Sequence, residues 1–133
     1  MKVDGGLGLT PNIEKIAKEA RSQEERGYDG IWTAETSHDP FLPLTIAAEH
    51  TQNLELGTSI AVAFARNPMV LANIGWDLQA LSKGRFNLGL GSQIKPHITK
   101  RFSMEWSKPA ARMREMVSAM RAIWNTWMTG EKL

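Results

Sequence analysis

Apolar positions along the chain follow two alternating rhythms. Short runs of consecutive hydrophobic and small residues give way to longer stretches in which apolar residues recur every three or four positions. The first short run, Lys2-Val3-Asp4-Gly5-Gly6-Leu7-Gly8-Leu9, predicts a strand loosened by glycine, and Thr10-Pro11 supplies a cap followed by proline at the first helical position. Ile13, Ile16, Ala17 and Ala20 then share one helix face, and Gly27 stands where a left-handed residue stops the helix. Residues 30–34 predict a second strand with the polar loop Glu35-Thr36-Ser37-His38-Asp39-Pro40 at its C-terminal end. Residues 43–51 read as a second helix and 54–62 as a third strand. Asn67-Pro68 opens a third helix that runs through Val70, Leu71, Ile74, Leu78 and Leu81 to a stop at Lys83-Gly84, before a fourth strand near 86–90. Pro109 opens the last helix, where Met113, Met116, Val117, Met120, Ile123, Trp124 and Trp127 oppose Arg112, Arg114, Glu115, Ser118 and Arg121.

Four strand–helix units with short connections imply right-handed crossovers and parallel strands, hence an α/β fold. An open doubly wound sheet would be complete at about this length, although no fifth strand follows. A β/α barrel needs eight units, so four would be half of one. Composition narrows the class: 133 residues with 42% hydrophobic and 23% charged residues predict one soluble globular unit. The absence of cysteine removes disulfides, thiolate nucleophiles and the usual zinc sites. A net charge of +2 is too small to argue for nucleic acid, and no run approaches the ~20 apolar residues of a membrane span. With no secretory signal at Met1-Lys2-Val3-Asp4, a cytoplasmic protein is expected.

Chemistry-bearing residues gather after the strands. Glu35, Ser37, His38 and Asp39 place two carboxylates, a hydroxyl and an imidazole within five residues, suited to acid/base work or to shaping a polar turn before Pro40. Gly89-Leu90-Gly91-Ser92 offers backbone N–H groups at a strand exit, yet lacks the third glycine of a dinucleotide fingerprint and the lysine of a P-loop. Lys95, His97, Lys100 and Arg101 form the densest basic cluster, interleaved with Phe102, Met104 and Trp106 in the manner of a lid. No metal set is expected.

Three stretches taken together resemble the luciferase-like flavin- or deazaflavin-dependent oxidoreductases, which are β/α barrels. They are Ile31-Trp32-Thr33-Ala34-Glu35-Thr36, then Leu56-Gly57-Thr58-Ser59-Ile60 continuing to Arg66-Asn67-Pro68, and Gly84-Arg85-Phe86-Asn87-Leu88-Gly89-Leu90-Gly91-Ser92. Ser37-His38-Asp39-Pro40-Phe41, Trp76-Asp77-Leu78-Gln79-Ala80-Leu81 and Lys95-Pro96-His97 are similar to the branch that uses coenzyme F420. The resemblance implies that residues 1–133 form the N-terminal half of a TIM (β/α)8 barrel, about four β/α units with parallel strands in sequential order, without the C-terminal half.

It further implies hydride transfer between F420, with FMN as the alternative, and a small organic substrate. Glu35 and Thr36 match positions near the reacting end of the cofactor ring, and many F420-dependent relatives have Asp-His there instead. Thr58, Ser59, Ile60, Gly91 and Ser92 match cofactor-binding positions, with Ser59-Ile60 at the place of a non-prolyl cis peptide bond. Gln93 and Ile94 depart from a Gly-Glu seen in some members. Because half a barrel lacks much of the mouth and the phosphate site, the chain alone is expected to be inactive. The alternative from a different class is a noncatalytic half-barrel binding protein that self-associates into a homo-oligomer through open barrel edges. Neither nucleic acid nor membrane is an expected partner.

Overall fold

The computed structural model describes every residue except Leu9 and Leu133. Two compact units emerge, Met1–Ala61 with Asp77–Leu90 and Val62–Trp76 with Gly91–Leu133. The first unit holds a parallel sheet whose strands follow chain order: β1 (Asp4–Gly6), β2 (Gly30–Thr33), β3 (Glu55–Thr58) and, through the helix between, the fourth strand at Phe86–Asn87. This is the sequential order of a partial barrel and excludes the reversal of a doubly wound sheet. Register aligns Gly5, Ile31, Leu56 and Phe86 in one row and Gly6, Trp32, Gly57 and Asn87 in the next. Ile31 and Leu56 are fully buried, whereas in the second row the Trp32 indole lies against Gly57 and donates to Asp4 Oδ2 at 3.0 Å. A Cβ at Gly57 would collide with that ring.

Helix α1 (Ile13–Glu25) buries Ile16, Ala17 and Ala20 of the stripe that its spacing predicts, whereas Ile13, in the first turn, is exposed. Its cap differs from the expected Thr10-Pro11, because Asn12 Oδ1 accepts the Lys15 N–H at 2.9 Å and the helix starts two residues later. Gly27, at φ 83°, ends it as expected. Helix α2 (Leu42–His50) begins where Asp39 Oδ1 accepts the Phe41 and Leu42 N–H groups, and buries Leu44, Ala47 and Ala48. The first strand is shorter than the expected 2–8, and Leu9 at the end of that run lies outside the described residues.

The expected third strand is interrupted. Ser59 N–H still donates to the Thr33 carbonyl on the β2 side, but Ala61 N–H donates to the Gly89 carbonyl, so β4 (Ala61–Val62) is a separate strand. The same exchange splits the expected fourth strand into β5 (Phe86–Asn87) and β6 (Leu90–Gly91). Thr58 Oγ1 donates to the Gly89 carbonyl at 2.8 Å and accepts the Gly89 N–H at 3.0 Å, which takes that backbone out of the ladder. Helix α3 (Pro68–Leu81) starts at Asn67, whose Oδ1 caps the Val70 N–H, and stops before Gly84 at φ 85°.

The second unit buries Phe64, Leu71, Ile98, Met116 and Met120. Helix α4 (Pro109–Thr129) supplies the last two from its predicted stripe, and Trp124 Nε1 donates to the Ala72 carbonyl at 3.0 Å. Trp76 and Trp127 meet edge to face at 5.3 Å. Arg112 lies 4.4 Å over the Phe64 ring, which also contacts Trp106 edge on. His97–Arg101 is a π-helical turn anchored by Ile98.

Candidate functional site

In a parallel sheet every strand delivers its following loop to the same C-terminal edge, and ligands collect there. In the first unit the exits of β2 and β3 are joined through the backbone. Ser59 N–H donates to the Thr33 carbonyl at 2.6 Å, and Glu35 N–H donates to the Ile60 carbonyl at 3.2 Å. Glu35 is half-buried, while Thr36 and Ser59 are exposed and Ile60 is half-buried. The Ser59–Ile60 peptide bond is cis, at the position the resemblance implies. One carboxylate and two hydroxyls therefore stand on adjacent strand exits, a set that can accept and donate hydrogen bonds to a polar, planar group.

Thr58 is placed differently. Its hydroxyl is buried and occupied by both backbone groups of Gly89, so it fixes the strand exits and leaves no donor for a ligand. Gly91 and Ser92 belong to the second unit, both half-buried, with Ser92 Oγ donating to the Gln93 carbonyl at 3.2 Å. Asp39 acts as the turn-shaping cap of α2, whereas the neighbouring His38 imidazole is exposed. The basic residues Lys95, Lys100 and Arg101 are exposed in the second unit, and Arg101 rests 4.7 Å over the Phe102 ring. Among the described residues no group of His, Asp and Glu is assembled for a metal ion, and no helix is long and apolar enough to cross a membrane.

The opposite, N-terminal edge of the same sheet carries a network that periodicity does not reveal. Arg85 donates from Nε, Nη1 and Nη2 to the carbonyls of Ser82, Leu54, Ala48 and Thr51 and to Thr51 Oγ1, at 2.8–3.1 Å. Glu24 accepts the N–H groups of Gln52, Asn53 and Leu54. Burial pushes the Glu24 carboxyl upward, but those three N–H groups and the Arg85 charge outweigh it and hold the carboxyl below its ordinary range. Desolvation lowers Arg85 from its usual value, opposed by Glu24. The signal available beforehand was the bare presence of Arg85 at a strand start. Apart from Ser82, its partners lie 31 to 37 residues away, beyond any local pattern.

A family model described as luciferase-like monooxygenase matches residues 1–133. An uncharacterized protein of Mycobacterium tuberculosis is 63% identical over 134 residues, covering 100% of this chain and 38% of that protein. Among solved structures, the FMN complex of the oxygenating constituent of 3,6-diketocamphane monooxygenase from Pseudomonas putida superposes with a TM-score of 0.79 at 19% identity, over 93% of this chain and 40% of that one. The coenzyme F420-dependent tetrahydromethanopterin reductase from Methanopyrus kandleri gives a TM-score of 0.71 at 24% identity, over 87% of this chain and 38% of that one. The chain thus spans about two-fifths of the length of the proteins it matches.

Proposed function

The chain belongs to the luciferase-like monooxygenase family, and from that premise we propose that it supplies one wall of a redox site where coenzyme F420, or FMN in its place, exchanges hydride with a small organic substrate. The observation that carries this reading is the joined exit of β2 and β3, where Glu35, Thr36 and Ser59 stand on strands tied by the Glu35–Ile60 and Ser59–Thr33 backbone bonds. The donor set fits such a group: a carboxylate and hydroxyls suit the carbonyl and N–H edge of a planar ring, and no cluster of metal-ligating residues competes among the described ones. When bound, the cofactor supplies the hydride chemistry itself.

What this chain contributes is placement and proton handling. Ser59 and Ile60 hold the ring through their backbone as much as through side chains, and Thr58 keeps that exit in place through Gly89. For Gly91 and Ser92, which belong to the second unit, the cofactor role is proposed from the family resemblance alone. The Glu35 carboxylate polarises the substrate or moves its proton, with the Thr36 hydroxyl beside it in sequence. The relatives named above are more than twice as long, so turnover belongs to a protein that also carries the remaining β/α units. Alone, residues 1–133 constitute a partial barrel domain without turnover, and the proposed setting is the cytoplasm.

The test uses a protein that joins this chain to four further β/α units. Ser59→Pro and Gly91→Val are each expected to weaken F420 or FMN affinity about tenfold or more, roughly 1.4 kcal/mol. Glu35→Gln should lower turnover about 10²-fold or more and remove one limb of the pH profile, with cofactor affinity held. Unchanged affinity for both cofactors in both backbone-site variants would discard the assignment. One observation favours a second, noncatalytic reading: among the described residues β1 and β5 are each paired on one side only within the sheet. Self-association through those edges, seen by sedimentation and unaffected by cofactor, would support that reading over the redox one.

A further inference from the structure

His38 stands at the rim of a cavity that the redox reading does not use. The cavity, about 470 Å³, opens between the first turns of α1 and α2, with Thr33 among its lining residues. Its walls are mainly hydrocarbon, from Ile13 and Ile16 on one helix and Leu42, Pro43 and Ile46 on the other. Two of these side chains, Ile13 and Leu42, are each 68% exposed, an unusual state for large apolar residues that flank one opening. The volume lies within the range of small-molecule sites.

The polar groups around the cavity differ in what they can still do. Thr33 Oγ1 donates to the Pro40 carbonyl at 2.7 Å, and Asp39 Oδ1 accepts from the Phe41 and Leu42 N–H groups. The His38 imidazole has no hydrogen-bond partner among the described residues, and it can donate from one ring nitrogen and accept at the other. An anion would face the Asp39 carboxylate next to it, and a cation would meet walls of hydrocarbon. A neutral molecule with an apolar body and a single hydroxyl or carbonyl suits both halves of the site.

We propose that the groove between the N-terminal turns of α1 and α2 is a second binding site, which takes a small neutral apolar molecule carrying one hydroxyl or carbonyl group anchored on His38. The site stands on the first unit alone and does not depend on the redox reading.

The experiment titrates the 133-residue chain with 4-fluorophenol and with fluorobenzene, following ¹⁹F signals and the methyl resonances of Ile13, Ile16, Ile46 and Leu42. Saturable shifts at those methyls are expected, with 4-fluorophenol bound about fivefold to tenfold more tightly. His38→Ala should abolish the difference between the probes while fluorobenzene binds as before. Ile46→Trp should block both by filling the cavity. Leu42→Glu should weaken both without harm to the fold, because Leu42 is exposed and a carboxylate at the first residue of α2 complements the helix dipole. The proposal is overturned if neither probe saturates these methyls, if both still bind Leu42→Glu as tightly as the parent, or if the preference for the phenol persists in His38→Ala.

Discussion

The two edges of the parallel sheet in the first unit are built on opposite terms. At the N-terminal edge the polar groups are consumed by one another: the Arg85 guanidinium uses every donor position on carbonyls and a hydroxyl, and the Glu24 carboxylate gathers three N–H groups that precede β3. At the C-terminal edge backbone bonds tie the exits of β2 and β3, and the Thr36 and Ser59 side chains remain exposed. Parallel β/α architecture separates stability from chemistry in this manner, since loops at the C-terminal edge can vary while the other edge holds strands and helices together. The contrast teaches where substitutions should unfold the protein and where they should alter only binding.

The sharpest way to break the contrast is to disturb the one place where the C-terminal edge is also packed tightly. A Cβ at Gly89 would run into the Thr58 carbonyl, a backbone group that cannot turn aside. Gly89→Ala is therefore expected to cost about 3 kcal/mol or more, read as a lowered urea midpoint with unchanged slope. Next comes Arg85→Met, which keeps the aliphatic stem and strips the carbonyls of Ala48, Thr51 and Leu54 of their donors. A loss of about 2–4 kcal/mol is expected by the same measurement. Equal stability of Arg85→Met and the parent would show that water replaces the guanidinium without cost.

Glu24 ranks below Arg85, and its effect carries a pH signature. Its folded-state carboxyl titrates below the ordinary glutamate value, because three backbone N–H groups and Arg85 overcome the upward push of burial. The stabilisation is therefore fully present above the unfolded glutamate pKa, about 4.3, and is lost as pH falls through the lower folded value. Glu24→Gln should remove about 1–3 kcal/mol near neutral pH and flatten the acid limb of stability against pH. An acid limb identical to that of the parent would assign the titration to other carboxylates.

Much of the frame was legible in the chain itself, and the reasons are local. The α1 stripe of Ile16, Ala17 and Ala20 and the stops at Gly27 and Gly84 depend on neighbours within a few residues, so periodicity and turn chemistry report them. Parallel strands followed from the β/α alternation through right-handed crossovers, whereas their sequential order entered through the family resemblance. The breaks in the third and fourth strands were hidden, since they arise where Thr58 meets Gly89 across 31 residues. The Arg85 network was hidden for the same reason. The β2 and β3 exits entered through family resemblance, because a hydroxyl at a strand end carries no local signal. The His38 cavity requires two helix starts side by side, which no single segment encodes.

The smallest expected effect on stability is the one that tests the other half of the contrast. Ser59 is exposed, and its structural bond to Thr33 is made by the backbone N–H, which alanine keeps. Ser59→Ala should therefore shift unfolding by no more than about 0.5 kcal/mol. In a protein that carries the remaining β/α units, the same substitution should weaken cofactor binding by about two- to fivefold, a hydroxyl's worth of hydrogen bonding at a partly exposed site. Thermal unfolding and a fluorescence titration on the same sample separate the two quantities. A large loss of stability would mean that the Ser59 hydroxyl belongs to the framework, and the division between a stabilising edge and a chemical edge would have to be redrawn one residue further along the chain.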